Sequence, residues 1–178
     1  MREALDARHG RAHMEAVWRE RADRLAQRQV FAEAGQDAVG VIVLGIGKER
    51  YGIELADVAE VLAPLRATPV PGAAAVFSGI VNVHGEIRPV IDLRRFLGLE
   101  TVANGDPARL ILVRKGDREI GLQVDSVEQI RWIGAAEFQM AGDSDAGRSG
   151  CIKGTTQDRL TLIGTEALFA ALEPGVIL

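Results

Sequence analysis

The chain has 178 residues, 47% of them apolar and 26% charged, with a formal net charge of −4. That length can hold one respectable core or two small cores that share an interface, and the negative balance with 4% aromatic residues gives no electrostatic or stacking case for nucleic acid or an acidic membrane. The single cysteine, Cys151, excludes an internal disulfide, and the absence of an opening apolar run makes a cytosolic protein the expectation.

Residues 1–37 read as an amphipathic helix followed by a hinge. Met14, Val17, Trp18, Ala22 and Leu25 recur at helical spacing, with Glu15, Arg19, Glu20 and Asp23 on the opposite face. That stripe is too narrow to make a core alone, so it must cap the rest of the chain or serve as a docking arm, with Met14, Val17, Trp18 and Leu25 as its contacts. From Val39 the period changes to that of strands. Residues 41–46 form one arm of a hairpin, Gly47-Lys48-Glu49 turns, and Tyr51, Ile53 and Leu55 alternate along the other. Residues 56–62 carry the chain out, and Pro64, Pro69 and Pro71 force an extended surface crossing. A second hairpin pairs residues 78–84 with 86–91 and turns at His84-Gly85, and Pro89 marks its second arm as an edge strand or a bulge. Asp92 is the expected cap of a short helix that Gly98 stops. Residues 101–107 then lead to a similar series: a hairpin over 110–124, a strand over 127–133, a polar loop over 142–150, a hairpin over 151–163, and a helix capped by Thr165 with Leu168, Phe169 and Leu172 inward.

The similarity is a duplication. Residues 41–61 lie over residues 110–130 without a gap, with Gly47 over Gly116, Gly52 over Gly121 and nearly every apolar position matched. The later halves correspond less tightly: Ser78-Gly79-Ile80-Val81 is set over Ser149-Gly150-Cys151-Ile152, and Val90-Ile91 over Leu162-Ile163. Each copy holds about five short strands and one short helix, a set that closes into a barrel, and two barrels this small are expected to share an apolar seam.

Chemistry is hard to place on this framework. Gly45-Ile46-Gly47-Lys48-Glu49 invites a phosphate-loop reading, but Ile42 stands where such a loop begins with glycine, and Glu49 stands where a hydroxyl would hold magnesium. A hairpin turn fits better. Asp143-Ser144-Asp145 suggests a calcium loop, yet Gly154 occupies the position of its closing carboxylate. His9, His13 and His84 are not placed to share a metal, and no nucleophile elbow or His-Glu-x-x-His run is present. No catalytic residue, metal or cofactor is therefore expected, and Cys151 reads as a small buried hydrophobe. The densest polar decoration lies on residues 82–94, where alternation puts Val81 and Val83 on one face and Asn82 and His84 on the other. By these residues alone the segment is either an ordinary solvated hairpin or a contact surface. A single-stranded nucleic-acid binder of OB type is the alternative from another class, and it would need a basic groove with exposed aromatics.

Several separated motifs bear on the choice. Tyr51-Gly52-Ile53-Glu54, Val58-Ala59-Glu60-Val61, Thr68-Pro69-Val70-Pro71, the run from Gly79 through Asn82-Val83-His84-Gly85 and Arg88-Pro89-Val90-Ile91-Asp92 to Arg94, and Gly121-Leu122-Gln123-Val124-Asp125 together resemble the CheW-like family of bacterial chemotaxis coupling proteins over residues 39–172. The resemblance implies a mainly β fold of two intertwined five-stranded barrels of SH3 or OB type, with a short helix after each. It divides the chain into the amino-terminal helix and hinge (1–37) and a CheW-like domain (38–173), whose subdomains run over about 39–100 and 107–173. It implies a non-catalytic adaptor between the cytoplasmic tip of a methyl-accepting chemoreceptor and a CheA-type histidine kinase, in the cytoplasm at inner-membrane receptor arrays, without nucleic acid, cofactor or direct membrane insertion. Val58, Glu60, Asn82 and His84 fall where the family meets the receptor, and Leu62 and Gly85 belong to the same groove. The family usually carries Arg where this chain has His84, and Arg88 on the adjacent strand is the candidate to supply the missing charge.

Overall fold

A computed structural model describes residues 37–99, 108–141 and 150–171. The expected amino-terminal helix with Met14, Val17, Trp18 and Leu25, and most of the 142–150 loop, lie outside the described residues. Among the described residues, eleven strands are arranged in two sheets. In chain order they are β1 (Val39–Ile46), β2 (Glu49–Glu54), β3 (Val58–Leu62), β4 (Phe77–Val83), β5 (Glu86–Asp92), β6 (Arg109–Lys115), β7 (Arg118–Val124), β8 (Ser126–Ile133), β9 (Phe138–Met140), β10 (Ile152–Thr156) and β11 (Leu160–Ile163). Helix α1 (Leu93–Phe96) follows β5 and α2 (Thr165–Ala171) follows β11.

The strand orders show how the duplication is assembled. One sheet, barrel A, runs β8-β1-β2-β11-β10-β9, and the other, barrel B, runs β3-β6-β7-β5-β4. Each sheet is built on the first hairpin of one copy and takes its remaining strands from the other. Parallel pairings of β11 with β2 and of β5 with β7 join the contributions. The sixth strand of barrel A, β9, has a remnant counterpart in barrel B, a lone bridge between Thr68 and Ile80.

Alternation explains the three apolar clusters. On β1, Val41 and Val43 face the interior of barrel A, with Ile133, Leu160 and Leu162, while Ile42, Leu44 and Ile46 face the other way. On β6, Leu110 and Leu112 face the interior of barrel B, with Val81, Val83 and Val90, while Ile111 and Val113 face the other way. The outward sets meet in one seam with Ile53, Ile91, Leu122 and Ile163. Among the described residues, seventeen buried ones line that seam against five within each barrel, so the shared interface is the main core and neither sheet is an independent unit. Central strands buried on both faces read as unbroken apolar runs for this reason.

The structure corrects four local readings. Residues 56–62 are not a simple exit: a 3-10 turn (Leu55–Asp57) leads into β3. Gly79 corresponds to Gly154 rather than Gly150, because each follows a register shift in its hairpin and pairs with Val90 or Leu162 respectively. The counterpart of Cys151, which accepts from Gly164 as Val76 accepts from Asp92, is therefore Val76. Strand β5 is interior to its sheet, and Pro89 sits where its pairing with β7 has not yet begun. Thr165 opens α2 from within its first turn, and its hydroxyl donates to Asp57. Asp92 does cap α1 as expected, accepting from the Arg95 N–H at 3.2 Å, and Gly98 has the left-handed φ of 66° that ends it.

Candidate functional site

Strand β3 changes its facing midway. Its register on β6 shifts between Val58, opposite Val113, and Glu60, opposite Leu112. An extra residue in one strand of an antiparallel pair turns the side chains that follow, so Val58 packs on the seam while Leu62 packs on the interior of barrel B. Glu60 shares the side of Leu112, and Val61 is left 45% exposed.

The β4–β5 hairpin supplies the other wall. His84 and Gly85 have φ of 52° and 89°, a two-residue turn with both centres left-handed, and Asn82 Oδ1 accepts the Gly85 N–H at 2.9 Å. Nothing lies within 4 Å of a Cβ built on Gly85, so glycine is needed there for its backbone conformation and not for space. Val81 and Val83 point into the barrel, and Asn82 and His84 are exposed, as alternation requires. Ile87, opposite Asn82, is 57% exposed. His84 Nε2 lies 2.9 Å from Glu60 Oε2, joining the hairpin tip to β3, the two edge strands of barrel B. The ring is 76% exposed, so this contact contributes at most about 1 kcal/mol to stability and acts chiefly on geometry.

Quasi-equivalence sets this tip apart. Beyond the matched pairs Ile80–Pro89 and Thr155–Thr161, the β4–β5 hairpin has residues 81–88 and the β10–β11 hairpin only residues 156–160. Barrel B thus carries a projection that barrel A lacks, and it bears Asn82, His84, Gly85 and Ile87.

Arg88 lies at the root of the projection. Its Nε donates to Glu119 Oε2 at 2.9 Å and its guanidinium also pairs with Glu86, so its charge is committed to the hairpin base while His84 pairs with Glu60. Glu119 also accepts from Arg114 Nε at 2.6 Å. The hydrogen bond from Arg114 holds the Glu119 carboxyl below the usual glutamate range, against burial that pushes it up, and Arg88 adds to the lowering. The sequence singled out Val58, Glu60, Leu62, Asn82, His84, Gly85 and Arg88, but it missed Val61, Ile87 and Glu119. The signal for Ile87 was available in the alternation that sets it beside Asn82, whereas Glu119 is distant in sequence and reads as an ordinary turn residue.

Elsewhere the phosphate-loop candidate resolves as a turn. Gly47 has a φ of 63°, and its N–H donates to Asp125 Oδ2 at 2.6 Å. Asp125 also pairs with buried Arg94 of α1, tying the turn of barrel A to the helix of barrel B. Among the described residues no three His, Cys, Asp or Glu side chains cluster to hold a metal ion, and no helix is long and apolar enough to cross a membrane.

A family model described as a CheW-like domain matches residues 40–173. The chain belongs to the CheW-like family. It is 30% identical over 101 residues to the chemotaxis protein CheW of Bacillus subtilis, a match covering 57% of this chain and 65% of that protein. It is 29% identical over 111 residues to the chemotaxis protein CheW of Helicobacter pylori, covering 59% and 67%. The crystal structure of the scaffolding protein TtCheW from Thermoanaerobacter tengcongensis superposes with a TM-score of 0.69 at 25% identity, covering 78% of this chain and 95% of that one. The mainly β architecture of two SH3-like barrels is therefore that of the family, whose members are adaptors and scaffolds of chemotaxis.

Proposed function

We propose that this chain is a non-catalytic cytoplasmic adaptor that couples methyl-accepting chemoreceptors to a CheA-type histidine kinase in a receptor array at the inner membrane. The observation that carries this reading is the projecting β4–β5 tip, pinned to β3 through His84 and Glu60, with Ile87 uncovered opposite the polar Asn82 and Val61 uncovered next to Glu60 on β3. A helical receptor tip presents apolar side chains at intervals of three and four residues, which suits a ridge with apolar points and a polar rim. Ile87 and Val61 supply contact area, and Glu60, Asn82 and His84 select the partner and its register. The kinase takes other exposed barrel surface, so both partners are held together. Patches of roughly 600–800 Å² per partner are enough when an array multiplies weak contacts. His84 has a shorter and less richly donating side chain than the family's usual Arg, which fits a receptor contact made with one hydrogen bond in place of a fork.

Capture of a purified receptor cytoplasmic fragment and a CheA-type kinase on the immobilised chain tests the assignment. His84→Ala and Ile87→Ala are each expected to weaken receptor capture by about tenfold, the effect of losing ~1.4 kcal/mol, while kinase capture is unchanged. Receptor capture unaffected by both substitutions would remove the docking site from this face.

A further inference from the structure

The projecting hairpin is fastened to its barrel differently from its counterpart. In barrel A the parallel ladder between β11 and β2 runs from Leu160 opposite Arg50 to Ile163 opposite Ile53. In barrel B the ladder between β5 and β7 begins only at Val90 opposite Gly121, the equivalent of Leu162 opposite Gly52. Arg88 and Pro89 thus occupy the two places where barrel A is still paired, and the reason is local: proline has no N–H to give to β7. Extending the register would set Arg88 opposite Glu119, and there the side chains meet where the backbones do not. Arg88 Nε donates to one Glu119 oxygen at 2.9 Å and Arg114 Nε to the other at 2.6 Å, with the Glu119 side chain only 12% exposed. Arg88 reaches on to Glu86, which flanks the His84–Gly85 turn.

We propose that Glu119 is a positioning residue: by gripping Arg88 where Pro89 interrupts the backbone ladder, it fixes the direction of the β4–β5 tip that presents Asn82, His84 and Ile87. A charge-assisted side-chain pair takes the place of two rungs of ladder. The identity of what docks on the tip rests on the adaptor reading, whereas the grip itself is a property of the chain alone.

Hydrogen exchange on the intact protein reads the grip directly. Glu119→Gln is expected to speed exchange at the amides of residues 82–88 by about tenfold, leaving β1, β2 and β11 at their original rates. Tip amides that exchange no faster, or an equal rise in both barrels, would overturn the proposal. Titration of the receptor fragment against Glu119→Gln, His84→Ala and the double variant gives a second readout. Glu119→Gln is expected to weaken binding several-fold, and His84→Ala to have a smaller effect in its presence than on the native background, because the tip is already misdirected. Strict additivity would count against positioning. If His84→Ala has no effect even on the native background, the docking reading fails, and the exchange rates alone decide the role of Glu119.

Discussion

A Cβ added at Gly79 would fall well inside contact distance of the Thr68 carbonyl, and the residue has a φ of 136°, which L side chains rarely adopt. The segment from Thr68 crosses directly over this glycine, bonded both ways to Ile80 at 2.8 and 2.9 Å. Gly79→Ala is therefore expected to destabilise the fold by about 3 kcal/mol or more, read as a lower urea midpoint; an unchanged midpoint would mean that the crossing is not held there. Charge at single residues sets the acid limit. The hydrogen bond from Arg114, helped by Arg88 and working against burial, holds the Glu119 carboxyl below its ordinary 4.5, and the hydrogen bond from Thr156 holds the Asp158 carboxyl below its ordinary 3.8. A depressed carboxyl contributes stability that is fully present above the unfolded value and is lost as pH falls through the folded one. Stability is thus expected to decline from about pH 4.5 downward, and less steeply in Glu119→Gln, measured by denaturant midpoints across pH 3–7. Parallel curves for the variant and the native chain would contradict this.

Between elements, an ionic junction ties the two barrels. Asp125 leaves the end of β7, accepts the Gly47 N–H from the β1–β2 turn, and pairs with Arg94 of α1. Arg94 is buried, so Asp125→Ala removes a charged partner from a guanidinium in poor solvent and also the acceptor of the Gly47 N–H: stability is expected to fall by about 1–3 kcal/mol, with faster exchange at the β1–β2 turn. The quasi-equivalent junction at α2 is weaker, an exposed pair of Lys115 and Glu166 at 3.8 Å, so substituting Glu166 should change stability by less than about 0.5 kcal/mol. This scale also shows what the amino-acid sequence made legible. The hairpins could be read because Gly47 and Gly116 mark turns between apolar runs, and the His84–Gly85 turn was read for the same reason. The partners of those hairpins could not. Strands such as β1 and β6 are buried on both faces, so alternation leaves their neighbours open, and Gly150 was matched to Gly79 because the bulge that aligns Gly154 instead appears only in the pairing. Asn82 and His84 stood out by alternation, Glu60 became a candidate contact only through family resemblance, and Glu119 only once the ladder was seen to stop at Val90.

Over the whole molecule, the exchange of strands between copies means that neither barrel can form from one half of the chain. β1 and β2 need β8, β10 and β11, and β6 and β7 need β3, β4 and β5. Fragments spanning residues 39–100 and 108–171 are expected to be unfolded separately by circular dichroism, and the intact chain to unfold in one transition in which exchange probes of both sheets coincide. A cooperative melt in either fragment would contradict the intertwined core. Such a core suits an adaptor, since two surfaces on one rigid seam keep a fixed relation when both are occupied. If the chain places receptor and kinase on one scaffold, as proposed, the autophosphorylation rate of a purified CheA-type kinase mixed with a receptor signalling fragment reads it directly. With the chain present, that rate should depend on the receptor fragment and the two should co-sediment; without it, neither should occur. A kinase rate indifferent to the receptor fragment at saturating chain, with no ternary complex sedimenting, would contradict the account.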